Sequence, residues 1–316
     1  AASLGVFRRD GGRPGPLGYP SPDAGLRQER RDARLTLAGG AGGSSRLDLA
    51  ASRAVEWLYD PLGQVGWDPP GTTRGRSDDL SGRAQTARAA ELARLPGPWG
   101  QGRATLECGG EWRRQWYRES LGTRTDPLRV RTTAGLFAGL RLDWYGPRLT
   151  LQPAWRWQRL TDNFPPVPSL PWLPETPLAV PHVQDAVSPS LAVVWEARPA
   201  RLFWEAHASR STRPPTWVEL FGHRGGIDGN RALRPEASTA WDAGLRWRRA
   251  GGGLWARVAF FQTEIERTIL FVQTSQRTSK PINFGRTRTF GLEWEGGGRL
   301  PAGGRWTANL TWQRAR

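Results

Sequence analysis

The chain has 316 residues, enough for one large core or one large sheet, and carries a net charge of +16. Lys280 is its only lysine, so the charge is almost all arginine; it fits either codon bias in a GC-rich genome or attraction to phosphate-bearing lipid, an acidic ligand or nucleic acid. The lone cysteine, Cys108, excludes an intrachain disulfide framework and a cysteine-based zinc cluster, and no run of about 18 apolar residues exists to make a transmembrane helix.

Two-residue alternation dominates, and helical periodicity sustained over two turns is hard to find. Leu47, Leu49, Ala51, Val55, Trp57 and Tyr59 alternate with more polar residues. From Val130 to Trp144 the even positions are mainly apolar, while the odd positions carry Arg131, Thr133, Arg141 and Asp143. After the turn Tyr145-Gly146-Pro147 the pattern resumes through Leu149, Leu151, Trp155 and Trp157, which predicts a long hairpin with one apolar and one polar face. The same grammar returns at Leu202–Ala208, Trp241–Trp247, Phe290–Trp294 and Trp306–Trp312. About 13 such segments are predicted, many longer than the five or six residues usual in soluble sheets and long enough to cross a bilayer at a tilt.

The connections fall into two classes that alternate along the chain. Short ones rich in Gly and Pro lie at 39–43, 96–98, 145–147, 198–199, 251–253 and 301–304, and mostly longer, irregular ones at 10–24, 60–76, 120–128, 163–187, 213–234 and 273–280. Short turns on one side and long loops on the other predict an all-β, antiparallel transmembrane barrel. Its apolar face, with many of the 18 tryptophans, would meet lipid, and its polar face would line a lumen. No composition shift marks a second domain, so residues 1–316 read as one portion of a barrel.

Signals for enzyme chemistry are weak, and neither a catalytic residue nor a cofactor is expected. His182, His207 and His223 are scattered, with no metal-ligand spacing. His207 alternates with Glu205 on a polar strand face and reads as a lumen-facing hydrogen-bonding group. No nucleophile elbow, Walker loop or dinucleotide fingerprint is present.

From about residue 200 onward, four stretches carry a more specific pattern. Ser211-Thr212-Arg213-Pro214-Pro215-Thr216-Trp217-Val218-Glu219-Leu220-Phe221-Gly222 is the first, and Gly229-Asn230-Arg231-Ala232-Leu233-Arg234-Pro235-Glu236 the second. Ala259-Phe260-Phe261-Gln262 through Ile269-Leu270 follows, then Asn283-Phe284-Gly285-Arg286-Thr287 with Gly291-Leu292-Glu293. In this order over about 100 residues they resemble the C-terminal half of TonB-dependent outer-membrane receptors of the siderophore and vitamin B12 type. Arg231 stands where that family often has Pro and Arg267 where it often has Asp, both expected near loop ends; residues 1–199 match mainly in hairpin rhythm.

The resemblance implies about 13 strands of a 22-stranded barrel, a plug domain inside it, and energy from the inner-membrane TonB complex. The segment opens at Ala1-Ala2-Ser3 and contains no methionine, so the plug, the TonB box, any secretory signal and the first strands are expected upstream, with about three strands after Arg316. The implied function is import of a scarce chelate, foremost a ferric siderophore or else cobalamin, across the outer membrane of a Gram-negative bacterium. TonB, the metal-chelate ligand, outer-membrane lipid and lipopolysaccharide are the implied partners, and nucleic acid is not one. Trp172 and His182 in one Pro-rich loop, and Arg213, His223 and Arg224 in the next, are the candidate ligand contacts, because basic and aromatic groups at a barrel mouth concentrate anionic chelates. Arg213, Glu219, Arg234 and Glu236 also belong to the family pattern and are expected to order loop and strand ends. A passive porin or adhesin-like barrel is the alternative, followed by a soluble basic β protein that binds nucleic acid through Arg and Trp.

Overall fold

The structure is a computed structural model that describes residues 1–12, 25–40, 44–60, 76–96, 102–121, 124–125, 127–164, 182–223, 227–251, 253–275, 278–300 and 303–316. Its elements in chain order are β1 (Ala2–Gly12), β2 (Gly25–Gly39), β3 (Ser45–Asp60), β4 (Arg76–Pro96), β5 (Gly102–Leu121), β6 (Arg124–Thr125), β7 (Arg129–Trp144) and β8 (Leu149–Asn163). There follow β9 (His182–Arg198), β10 (Leu202–Arg213), α1 (Trp217–Phe221), β11 (Gly222–His223), β12 (Ile227–Asp228), β13 (Glu236–Arg248), β14 (Leu254–Gln273), β15 (Ser279–Arg299) and β16 (Arg305–Ala315).

Setting aside the two-residue pieces β6, β11 and β12, thirteen strands of 11 to 21 residues remain among the described residues. They pair antiparallel with their chain neighbours in one continuous sheet running from β1 to β16. The thirteen long strands are as the sequence predicts, and so is the alternation of short with longer connections except between β14 and β15, where the expected connection at 273–280 shrinks to the five residues between Gln273 and Ser279 because the ladder extends to that pair.

Register carries the apolar pattern from strand to strand, because opposed residues on paired strands share a face. Leu35 lies opposite Leu49, Leu49 opposite Ala87, and Ala87 opposite Trp112. Leu136 faces Trp157, Leu151 faces Val193, and Trp195 faces Trp204. The band continues through Leu245, Val258, Trp294 and Leu310. These residues are not a core between two layers: Trp204 is 51% exposed, Leu136 54% and Trp312 57%. A face this apolar and this open far exceeds what a water-soluble surface carries, and hydrocarbon is its natural solvent.

The two ends of that outer face differ. Trp144, Trp195, Trp247 and Trp306 sit at strand ends beside short turns, where an indole can keep its ring in hydrocarbon and its N–H in the interface. Towards the long connections the same face becomes charged, with Arg159 bidentate on Asp185 (both contacts 2.9 Å) and Arg286 on Glu264 at 2.8 Å. The opposite face is mainly polar, with Phe137, Phe203 and Phe261 set among its charged residues. Glu205 lies 2.7 Å from Arg246 and 3.8 Å from Arg257, and Glu111 pairs with Arg156. Arg246, Arg257 and Arg156 on this face are thus matched by carboxylates on other strands, partners that sequence alternation does not name.

Candidate functional site

The best-formed constellation lies where β10 runs out. Pro214 and Pro215 have no N–H to continue the ladder, so pairing stops at Arg213. Thr216 then caps α1: its hydroxyl accepts from the Glu219 N–H at 3.3 Å, and the Glu219 carboxylate accepts from the Thr216 N–H at 2.6 Å. This reciprocal capping box gives a five-residue helix that alternation could not reveal, although Thr216-x-x-Glu219 was its sequence signal. Gly222 ends the helix at φ 83°, and a Cβ there would fall 2.4 Å from the Ile227 carbonyl oxygen. Only glycine fits that close, left-handed position.

Arg213 is the hub beneath this turn. Its Nη1 and Nη2 each donate to Glu219 at 3.1 Å, and its Nε donates to Glu236 at 2.5 Å. Glu236 also accepts from the Ile269 backbone N–H at 2.6 Å, so one guanidinium links β10, α1, β13 and β14. Burial pushes the Glu219 carboxyl up, but hydrogen bonds from Arg213 and the Thr216 backbone outweigh it, leaving the group below the ordinary glutamate value of 4.5.

The connection between β10 and β13 then reaches across the polar face. Trp217 stacks on Tyr117 of β5 with ring centroids 5.3 Å apart, and Phe221 meets Phe164 edge-on at 4.9 Å. Arg129 and Arg131, both from β7, lie over Phe221 at 3.9 Å and Trp217 at 4.9 Å. Phe164, Leu220, Leu233 and Ile269 form a small buried core below. Arg131 donates to Asp162 at 2.7 and 2.9 Å and to the Pro215 carbonyl at 2.7 Å. On the other flank, Asn230 donates to the Pro281 carbonyl at 2.9 Å. Asn283 accepts from the Arg234 N–H at 2.7 Å and donates to the carbonyls of Arg234 and Arg267, both at 2.9 Å. The connection is therefore fastened to β5, β7 and β8 on one side and to β14 and β15 on the other, spanning the concave side of the arc.

The five sequence-selected ligand candidates fare differently. Trp172 and Arg224 lie outside the described residues. His182 corrects an expectation: it is the first residue of β9 rather than part of the loop, because the ladder continues until its backbone pairs with Asp162. His223 is in β11, paired with Ile227. Arg213 ends β10 as the hub just described, and Glu219 and Glu236 are its partners, matching their expected ordering role; the Arg234 backbone is the partner of Asn283. Arg267 also departs from expectation. It lies within β14 at φ 56°, where pairing skips from Glu266 to Thr268, and its Nε donates to the Pro235 carbonyl at 3.0 Å. Arg131 and Asp162, 31 residues apart, carried no local signal. Among the described residues no three His, Cys, Asp or Glu side chains gather as a metal site.

The sequence profile described as TonB dependent receptor-like, beta-barrel matches residues 3–316. The chain belongs to that family. It is a family of outer-membrane transport receptors, not enzymes. Among solved TonB-dependent receptors, the copper transporter OprC superposes with a TM-score of 0.71 at 17% identity, over 92% of this chain and 47% of that one. The FrpB iron transporter of Neisseria meningitidis (F3-3 variant) gives 0.69 at 15%, over 100% and 49%. The ferric citrate transporter FecA, in its unliganded form, gives 0.63 at 14%, over 99% and 48%. At such identities the likeness shows the fold, and this chain spans about half the length of those it matches. No curated protein matches it by sequence.

Proposed function

We propose that this chain is barrel wall from an active importer in the outer membrane of a Gram-negative bacterium, taking up a scarce chelate with energy drawn from TonB. A ferric siderophore is the ligand class favoured, with cobalamin the next. The carrying observation is the β10–β13 connection, held by Arg213 and Arg131 across the concave face. A passive pore has no use for so heavily braced a partition at its mouth, whereas a receptor needs loops held in one arrangement to grip a bulky ligand. The relatives named above handle copper, iron and ferric citrate, and a further structural neighbour, HasR, is seen with its hemophore and heme; this range supports a chelate class rather than one compound.

In this reading the long connections face outward and the plug and TonB box belong to sequence upstream of Ala1. Trp172, His182, His223 and Arg224 contribute the ligand surface, while Arg213 acts by holding the loop. Excess basic and aromatic groups at the mouth attract an anionic chelate. Uptake of labelled ferric chelates and cobalamin, in strains with and without the gene and with and without TonB, is the test. TonB-dependent uptake of one of them is expected; uptake that persists without TonB would make the chain part of a passive barrel.

A further inference from the structure

The short-turn end of the wall is strongly basic. The turns joining β7 to β8, β9 to β10, β13 to β14 and β15 to β16 lie within 145–148, 198–201, 248–253 and 299–305, and these stretches contain no Asp or Glu. They carry Arg148, Arg201, Arg248, Arg249, Arg299 and Arg305, all exposed. Arg148 has Glu196 at 3.7 Å. Arg299 and Arg305 lie directly opposite one another, a placement in which like charges repel. Alternation sets the direction of this charge. Trp247 and Trp306 belong to the lipid-facing girdle, so their neighbours Arg248 and Arg305 take the lumen face. The arginines border the inner opening, not the lipid.

At this rim the lumen wall is hollow. A recess of about 580 Å³ lies among Glu205, Arg246, Arg248, Trp255, Arg257 and Glu295. A glycine shapes its floor: Trp255 lies opposite Gly297, and a Cβ there would fall 2.8 Å from the indole Nε1, so the ring occupies the space a side chain would take. Arg246 lies directly opposite Arg257, and Glu205 reaches both, at 2.7 and 3.8 Å. Donors are left over. The Arg246 Nε is buried with no hydrogen-bond partner among the described residues, and Arg248, opposite Trp255, is exposed. Arg299 follows Gly297 by two residues on the same face, with Arg305 across from it. Guanidiniums thus outnumber Glu205 and Glu295 around one recess.

We propose that this recess is an exit site for the imported cargo and takes it as a polycarboxylate chelate. Its volume falls in the range of roughly 300–1,000 Å³ usual for organic ligands, more than a free inorganic anion fills. Guanidinium forks match carboxylates two oxygens at a time, and here they are spread over β13, β14, β15 and β16, which suits several carboxylates on one molecule. Trp255 gives the carbon skeleton a flat apolar floor. The inference rests on the importer reading above, which puts the short turns in the periplasm, so that an anion leaving the lumen meets these groups last.

The test uses the full-length receptor in detergent, with citrate as the probe and triethyl citrate as its uncharged counterpart. Hydrogen exchange read by mass spectrometry should show saturable protection of 246–257 by citrate and none by the triester. Arg248→Gln with Arg257→Gln should raise the citrate concentration needed by about tenfold or more, the scale of a lost charge-assisted contact. Arg34→Gln, on the lumen face of β2, should change nothing. Equal protection by the triester, or an undiminished response in the double variant, would overturn the assignment. So would a segment already protected without citrate and indifferent to it, the outcome expected if carboxylates of the plug fill the recess. The comparison of citrate with its triester is made on the wild type and decides even where the double variant does not fold. TonB-dependent uptake of a ferric chelate without citrate protection here sinks the exit site alone, while uptake that persists without TonB sinks the importer reading and the exit site with it.

Discussion

Arg131 grips Asp162 through two hydrogen bonds of 2.7 and 2.9 Å, and both side chains are only 6% exposed. With Nη1 the same guanidinium holds the Pro215 carbonyl, 84 residues along the chain, and its plane lies over Trp217. The pair is therefore the bolt between the sheet wall and the segment that crosses it. Removing one partner of a buried ion pair strands the other charge, at a cost of about 3–5 kcal/mol. Asp162→Ala should release the 213–235 connection, seen as faster hydrogen exchange and proteolysis there, while the strands remain protected. Arg131→Met with Asp162→Leu should recover part of the loss, since no charge is then left buried. If Asp162→Ala leaves exchange in 213–235 unchanged, the bolt is not there.

Glu219 gives the loop root a pH dependence of definite sign. Its folded-state carboxyl lies below the ordinary 4.5, so the unfolded segment takes up protons first as pH falls. The stabilisation is complete above 4.5 and is lost as pH drops through the lower folded value. Exchange protection of α1 should stay flat from neutral pH down to 4.5 and decline only beneath it. Glu219→Gln should abolish that acid step and weaken α1 at neutral pH, because a neutral amide neither completes the capping box as well nor pairs with Arg213. A decline beginning near neutrality in the wild type would contradict the role given to this carboxylate.

Gly222 tests local geometry rather than charge. Alanine there must accept φ 83° with its Cβ 2.4 Å from a carbonyl oxygen, a combination costing on the order of 1–3 kcal/mol. Gly222→Ala should lower the thermal stability of the loop root and reduce ligand uptake, while Gly303→Ala, in a turn with nothing within 4 Å, should leave uptake intact. Equal uptake by the two variants would mean that the β11–β12 approach does not matter for loop order.

The barrel wall was legible in sequence because each strand repeats one rule, apolar outward and polar inward, and lipid enforces it at every position. Thus Leu47–Tyr59 and Leu202–Ala208 alternate as strands and are strands. The mouth was less legible for two reasons. Its helix is only five residues long, so no periodicity could announce it, and Thr216-x-x-Glu219 alone marked it. Its fastening runs between residues far apart in sequence, as with Arg131 and Asp162, and alternation says which face a residue takes without naming its partner. His182 moved from loop to strand for a related reason: where a strand ends is set by how far its neighbour still offers hydrogen bonds, here as far as Asp162.

The face assignment can be tested with two adjacent residues. Leu292 is 45% exposed at the middle of the apolar band, opposite Phe260 and Trp312, while Glu293 points to the other face. An arginine directed into hydrocarbon near the midplane costs about 2–4 kcal/mol, whereas polar changes on the lumen face are tolerated. Leu292→Arg should reduce the amount of heat-modifiable, membrane-assembled protein and lower its folding free energy in lipid by that order. Glu293→Gln should assemble normally. Should the two variants suffer alike, the sheet's lipid face has been read the wrong way round. If Glu293→Gln alone failed, the polar face would be the one that packs, and the outward display of Trp204, Trp294 and Trp312 would need another cause.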